Sequence, residues 1–493
     1  MTTSSEVHEA IRKHAIKNAL EYGKANDGSV LNKVISEYPE LKSDIKSLAV
    51  EVKKVVADIN SYDKSRLEAE YAKHADEFEE IQKIKLEKTS KANVSLEGVV
   101  PGKFKTRFPP EPNGYMHIGH SKPAFMESEF ARMYNGQNVL YFDDTNPDAE
   151  KQEFVDAFKH DLDWLGIKFD SEYYASDNVH NMYKHAQTMI SDGNAYVCTC
   201  TQEQTKSNRE SGTGCEHKVQ SAKINAELWN KMVSGGFKEN EATLRLSYDM
   251  KATNTVMRDP VLFRIKTGEH YRQKKKYCAW PTYDFNTTIM DSQNGITDVI
   301  RSKEYELRDE LADVILDKLG LRKPRIHSIA RLEINNNLTS KRKLNALIKE
   351  GKIGSYDDPR LVTITALRRR GIMPQAIKEL ALRFGMSKTE SSVDIDLLLS
   401  FNRKIIDPIA YREFLIIDPV QVTVENLPVK EVKMKSHPSK DLGERTYQIG
   451  NRFIIERSET ERLKSGSVIR LKDAFCIKIK DVGKEISMQY RLF

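Results

Sequence analysis

Residues 107–122 read RFPPEPNGYMHIGHSK. The prolines, asparagine and glycine forbid a helix before Ile118, so a strand is followed by a loop and then by a helix N-terminus. Gly119 falls in the first helical turn. Its missing side chain lets a base or a phosphate approach free N–H groups and the positive end of the helix dipole. His117 and His120 are three residues apart and can face one ligand together. Two imidazoles at that place would hold nucleotide phosphates as charge develops in a transition state, which is electrostatic work rather than general-base work. For HIGH taken alone, a turn carrying two surface histidines is an equally good reading.

A second set lies between residues 196 and 217. YVCTC places Cys198 and Cys200 two apart on one face of an extended segment, and GCEH repeats that spacing with Cys215 and His217. Three thiolates and one imidazole on two arms suit tetrahedral zinc, and free thiols in a reducing compartment are the alternative. Cys278 and Cys476 stand alone as packing residues. Basic blocks form a third set: Arg272 with Lys274–Lys276, Lys341–Lys343, and Arg368–Arg370. Spread through a folded chain, they suit a partner that presents phosphates over a long path, or else solvated surfaces.

The elements that must position these residues are legible from periodicity. Val7, Ile11, Ala15 and Ala19 step by four, and Val30, Val34, Ile45, Leu48 and Val52 continue a helical rhythm, so residues 1–98 read as a helical N-terminal region. Residues 64–88, rich in Glu and Lys, read as an exposed helix or stiff linker. From residue 99 strand and helix alternate: strand 103–108, helix 118–136 stopped by Gly136, strand 139–144, helix 146–167. This is the rhythm of a multidomain α/β protein with a Rossmann-type parallel sheet, whose halves span 99–197 and 280–345. A polar stretch, 198–279, interrupts it as an insertion. Helices follow over 346–412, and alternating apolar and polar residues over 413–493 predict antiparallel strands of a β-barrel.

The chain has 493 residues, of which 39% are hydrophobic and 30% charged, and its net charge of +6 is mild. No apolar run is long enough to span a bilayer, and the N-terminus lacks the pattern of a signal or transit peptide. Five cysteines in no dense pattern fit a reducing compartment, so a cytoplasmic protein is expected.

The whole segment RFPPEPNGYMHIGH resembles the first signature of class I aminoacyl-tRNA synthetases in its glutamyl and glutaminyl form. The resemblance runs on through YFDDTNPDAEKQEF, MRDPVLFRIK, WPTYDF, LTSKRK and YDDPRLVTITALRRRG, and the N-terminal helices are similar to those of archaeal-type glutamyl enzymes. It implies ATP binding with Mg2+ by Glu111, Pro112, Asn113, His117, Gly119, His120, Ser302, Arg331, Leu332, Ser340 and Lys341. His117, His120 and Lys341 would act in catalysis, the lysine on the pyrophosphate leaving group. Thr339 departs from the methionine or serine commoner there. Arg107, Asp143 and Tyr283 would bind the amino acid in either enzyme of the pair.

Arg301 separates the two. It stands where glutamate enzymes carry arginine and glutamine enzymes a small uncharged residue, and a cation in the pocket would be left unpaired against an amide. A surface arginine is its bland reading. The spelling FPPEPNGYMHIGH leans toward glutamine, so a glutaminyl enzyme is the first alternative and a non-catalytic RNA-binding relative the second. The resemblance also implies structural zinc on Cys198, Cys200, Cys215 and His217, since some glutamyl enzymes have such a site. It further implies tRNA(Glu) and tRNA(Gln) as candidate partners, with acceptor-end contact by the insertion, stem contact by the helices and an anticodon-binding β domain. Related chains continue for several strands past the position of Phe493, so that domain is expected to be reduced or shortened. The N-terminal helices are expected to meet a protein partner.

Overall fold

The computed structural model describes residues 4–38, 41, 44–72, 96–338, 341–389, 391–471, 474–482 and 486–491. They fall into two compact units, Met1–Leu96 and Glu97–Phe493.

The first unit holds α1 (Ser4–Tyr22), α2 (Asp27–Glu37), α3 (Ile45–Ile59) and α4 (Lys64–Ala72). The four-residue stripe of α1 packs on Val30, Val34, Val52 and Val56 in one core, as the periodicity requires. Asn26 caps α2 by accepting from the Ser29 N–H at 3.0 Å. Asn60 clamps the preceding turn, accepting from Ala25 N and donating to Ala25 O. Of the expected charged segment 64–88, residues 73–88 lie outside the described residues.

In the second unit β1 (Lys105–Phe108), α5 (Ile118–Met133), β2 (Gln137–Phe142), α6 (Gln152–Trp164) and β3 (Ser171–Tyr174) form two consecutive crossovers, and the three strands pair in parallel in the order β1-β2-β3. α7 (Val179–Ser191) leads out of this half. Phe108, Leu140, Phe142, Val155 and Phe158 form its core with Ile118 of α5. Both helices are shorter than expected. α5 ends at Met133; Gly136 serves instead for close approach, because a Cβ there would lie 2.3 Å from the Phe104 carbonyl oxygen. Residues 146–151 make a turn in which the Asn146 N–H donates to Glu150 at 2.9 Å, so α6 starts only at Gln152.

The insertion is an antiparallel sheet of β4 (Ala195–Cys198), β5 (Thr243–Leu246), β6 (Val261–Ile265) and β7 (Ala279–Pro281), carrying α8 (Gln202–Ser211) and α9 (Ala222–Val233). Trp229, Phe263 and Phe285 stack edge to face beneath it. Its ladder starts three residues before Cys198, so the boundary strands belong to the insertion. α10 (Tyr283–Gln293) returns to the parallel layer, where β8 (Asp298–Ser302), α11 (Asp309–Leu319) and β9 (Arg325–Ile329) form a third crossover. Thr297 ties this pair to β1, donating its N–H to Lys105 O and accepting from Lys105 N, both at 2.8 Å.

β10 (Leu332–Ile334) pairs in parallel with β11 (Ser391–Val393), bracketing α12 (Lys341–Lys349), α13 (Ile364–Arg369) and α14 (Pro374–Arg383); α15 (Ile395–Ile406) closes the helical region. Beyond it lies a half-barrel sheet with strand order 15-12-18-17-16, made of β12 (Pro419–Glu425), β15 (Arg452–Glu456), β16 (Val468–Leu471), β17 (Phe475–Val482) and β18 (Ile486–Arg491). A separate hairpin joins β13 (Glu431–Lys435) to β14 (Glu444–Gln448). The interior of the sheet is Val422, Val424, Ile477 and Ile479, the alternation seen in the sequence.

Candidate active site

His117 is the N-cap of α5, with an extended backbone at φ −124° and ψ 169°. Its Nδ1 accepts from the Gly119 N–H at 3.1 Å, while the His120 Nδ1 accepts from the His117 N–H at 3.2 Å. The two rings lie 3.9 Å apart and cap the helix reciprocally. Because both Nδ1 atoms are acceptors, each ring carries its proton on Nε2 and keeps one N–H donor for a ligand. Burial, then the Arg331 charge, lowers His117 to about 4, and burial with the neighbouring His117 and Arg331 lowers His120 well below its ordinary value. The pair is therefore neutral at pH 7, and it can meet a phosphate through N–H donation. Gly119 is obligatory: a Cβ there would lie 2.9 Å from His117 Cε1 and 3.3 Å from the Leu332 carbonyl oxygen.

This turn hangs from the helical region. Ile118 N donates to Val362 O and Ile364 N to Met116 O, with His117 opposite Thr363. Tyr115 stacks on Tyr356 at 4.5 Å. These contacts define one side of a cleft of about 610 Å³ lined by Glu111, Asn113, His117, Gly119, His120, Asp143, Tyr283, Arg301, Ser302, Arg331 and Leu332, among others. The residues named come from five separate stretches of sequence and meet in one place. Pro112 lies behind the wall, its carbonyl accepting from Lys151 N at 3.2 Å. Thr339 and Ser340 lie outside the described residues, as does the side chain of Lys341, which begins α12.

The half of the cleft away from the histidines is acidic and tightly built. Asn286 donates to Asp143 and accepts from the Tyr141 hydroxyl at 2.6 Å, which fixes the amide's orientation. Burial, with Glu111 and Asp144 nearby, pushes Asp143 up to about 7 against the pull of Arg264. Asp144 is taken by Ser176 and Tyr271 and serves the scaffold. Arg301 donates through Nη2 to Asp309, while its Nε and the Ser302 hydroxyl are buried with no partner among the described residues. Tyr283 packs against Tyr305 at 5.1 Å.

Arg107 sits elsewhere than the sequence suggested. It is only 1% exposed and is absent from the cleft wall, its Nε and Nη2 donating to Asp291 at 2.7 and 3.1 Å. Burial works against its charge and Asp291 more than compensates, while burial raises the Asp291 carboxyl above its ordinary value against the pull of Arg107. Sequence reasoning missed Asn286 and Asp291, although both follow Tyr283 on α10 and a projection of that helix would have found Asn286 on its face. It also missed Lys122, whose buried ammonium donates to Ala330 O at 2.8 Å and is lowered to about 8 by burial. Glu127 was missed for the same reason: nothing local marks it.

In the insertion, the ligand atoms of Cys198, Cys200, Cys215 and His217 all lie within 4.8 Å of one another. Cys198 and Cys215 sulfurs are 3.8 Å apart and the Cys200 sulfur is 3.5 Å from His217 Nδ1. Those separations match the edges of a tetrahedron with bonds of ~2.3 Å to sulfur and ~2.0 Å to nitrogen. Thr199 holds the other ring nitrogen, Nε2, at 2.8 Å, which turns Nδ1 toward the sulfurs. The donor set and spacing fit zinc.

Residues 103–408 match the family model of the catalytic domain of class I tRNA synthetases of the E and Q type, and residues 410–492 match the anticodon-binding domain of the same group. A glutamate–tRNA ligase of Nitrosopumilus maritimus is 41% identical over 98% of this chain and 85% of its own length. One from Cenarchaeum symbiosum is 38% identical over 99% and 85%, and one from Pyrococcus abyssi 38% identical over 99% and 86%. With both family domains matched and this likeness over nearly its whole length, the chain belongs to the class I tRNA synthetases of the glutamate and glutamine type.

Proposed function

We infer that this enzyme is a glutamate–tRNA ligase, which activates L-glutamate with MgATP and passes the glutamyl group to the 3′ end of tRNA(Glu). The observation that carries the choice of glutamate is Arg301, a cation in the cleft wall whose Nε is buried without a partner among the described residues. A γ-carboxylate meets that donor with a charge-assisted hydrogen bond, whereas the neutral amide of glutamine offers it a weaker acceptor.

In this reading an α-carboxylate oxygen of glutamate attacks the α-phosphorus of ATP, the bond to the bridging oxygen breaks, and pyrophosphate leaves. Mg2+ arrives with ATP and neutralises phosphate charge. The Nε2–H groups of His117 and His120 stabilise the phosphate oxygens, Lys341 the departing pyrophosphate, and Asp143 the substrate ammonium, with Tyr283 shaping the pocket. Arg107 keeps out of the cleft wall, its fork occupied and its charge neutralised by Asp291. A hydroxyl of the terminal ribose of tRNA then attacks the mixed anhydride and AMP leaves. As in related enzymes, tRNA is expected to be bound before the first step.

Cys198, Cys200, Cys215 and His217 would hold zinc, whose part is to lock the two arms of the insertion. The insertion is assigned to the acceptor end of the tRNA, α13 with Arg368–Arg370 to its inner side, and the half-barrel to the anticodon. Residues 1–96, which hold none of the cleft residues, are assigned to a protein partner, and co-purification with that segment deleted tests this. Among the described residues no helix is long and apolar enough to cross a membrane, and we place the enzyme in the cytoplasm.

ATP–pyrophosphate exchange in the presence of tRNA decides the central reading. Exchange with glutamate is expected; exchange with glutamine alone overturns the assignment in favour of a glutaminyl enzyme, and exchange with neither favours an RNA-binding relative. Charging of purified tRNA(Glu) and tRNA(Gln) then sets the RNA range.

A further inference from the structure

Glu127 lies on α5 ten residues beyond His117. It is fully buried, it lines the cleft, and neither of its carboxyl oxygens has a hydrogen-bond partner among the described residues. Beside it Arg107 spends Nε and Nη2 on Asp291 and leaves Nη1 buried and unpaired among the described residues. An unpartnered acid next to an unpartnered guanidinium nitrogen, both away from water, would normally close into a contact. Here the Asp291 carboxylate already neutralises the arginine, so a second carboxylate would make the floor of the cleft net negative. Burial and Asp291 push the Glu127 carboxyl well above its ordinary range, and Arg107 only partly opposes them.

The charged groups that act on Glu127 are Arg107 on β1 and Asp291 on α10, and it shares the cleft lining with Tyr283, Arg301, Lys122 and the two histidines of its own helix. Lys378 of α14 reaches α5 at Glu129, two residues on and therefore on another face. Lys122 is held by Ala330 O, and Arg301 by Asp309. None of these neighbours gives the Glu127 oxygens a hydrogen bond.

We propose that Glu127 is a positioning residue for the dicarboxylic amino acid: its neutral carboxyl keeps the cleft floor uncharged and leaves Nη1 of Arg107 free, so glutamate binds to the form in which Glu127 carries a proton. This rests on glutamate being the substrate. Ionisation of Glu127 draws Nη1 to itself and places a second negative charge beneath a substrate that brings two carboxylates and one ammonium. Glutamate binding then weakens as pH rises, by about tenfold for each pH unit above that ionisation.

The test compares the wild-type enzyme with Glu127→Gln, whose amide is neutral throughout, in tRNA aminoacylation from pH 6 to 9.5. The readout is the ratio of the KM values for glutamate, in which titration of the substrate and the tRNA cancels. The ratio of wild type to variant is expected to climb with pH, while kcat for the two follows one profile. A ratio that stays constant across the range overturns the proposal, and wild-type charging with glutamate at pH 7 separately establishes the substrate. Should the variant not fold, glutamate binding by wild type with tRNA present is measured calorimetrically at alkaline pH in buffers of different ionisation enthalpy. Net proton uptake beyond that from the ammonium of free glutamate supports the proposal, and uptake no larger than that overturns it.

Discussion

The two halves of the cleft are organised by opposite means. On the side assigned to the nucleotide, His117 and His120 spend their Nδ1 atoms on backbone N–H groups of their own helix end, so rings, tautomers and helix end fix one another before any ligand arrives. On the side assigned to the amino acid, Arg301 Nε and both oxygens of Glu127 are buried without partners among the described residues, and burial with acidic neighbours raises Asp143 to about 7. One half is a finished surface; the other carries unmet hydrogen-bonding demand that a polar substrate relieves. A synthetase must accept one nucleotide but reject close analogues of its amino acid, and orphaned polar groups are an effective source of rejection.

The largest expected effect tests the finished half. His120→Ala removes both a phosphate donor and half of the cap, and exchange with saturating substrates should fall ~10²–10³-fold, while His120→Asn, which keeps a donor and an acceptor, should recover part of it. A loss below tenfold for the alanine variant would show that the cap is scaffolding only. Next, Arg301→Ala should raise the KM for glutamate about 30-fold, corresponding to ~2 kcal/mol for a charged hydrogen bond, with little change in the KM for ATP. An equal rise for both substrates would mean that the halves are not separable.

The acid limb of the pH profile comes third. Asp143, raised to about 7 by burial and its acidic neighbours, must be ionised to hold the substrate ammonium. Glutamate KM should therefore climb as pH falls below 7, up to about tenfold per unit, and Asp143→Asn should flatten that limb around a weaker plateau. An unchanged limb in the variant would assign the titration elsewhere. The smallest effect on catalysis is expected in the insertion, where Thr199 orients His217 as the histidines of α5 orient each other. Thr199→Val should weaken zinc retention ~10–100-fold in competition with a chromogenic chelator and leave exchange nearly intact.

Legibility in the sequence followed the same division. The parallel-sheet rhythm, the insertion, His117 and Gly119 could be read because residue type and local spacing carry that information, whereas Asp143, Tyr283 and Arg301, which also line the cleft, came from the family resemblance alone. Arg107 was read as a substrate fork, and the structure gives its fork to Asp291, 184 residues later. Glu127 and Lys122 were invisible, since a charged residue on a helix is ordinarily solvated and only tertiary packing makes these two exceptional. Gly136 was legible as important, but for a helix stop rather than for its approach to Phe104. The helix expected over 146–167 lost its first turn because Glu150 bonds back to Asn146, a local competition that periodicity does not register.

The pairing of Met116 and Ile118 with Val362 and Ile364 bears on how such an enzyme could be divided. The catalytic signature borrows two of its backbone anchors from a segment more than two hundred residues downstream, just ahead of α13 and its three arginines. A fragment ended after the parallel sheet would carry every letter of the signature yet lack the strut that holds its turn. Evolutionary exchange of this helical region is constrained in the same way, because a replacement must bring its own matching backbone edge or leave the signature turn unsupported.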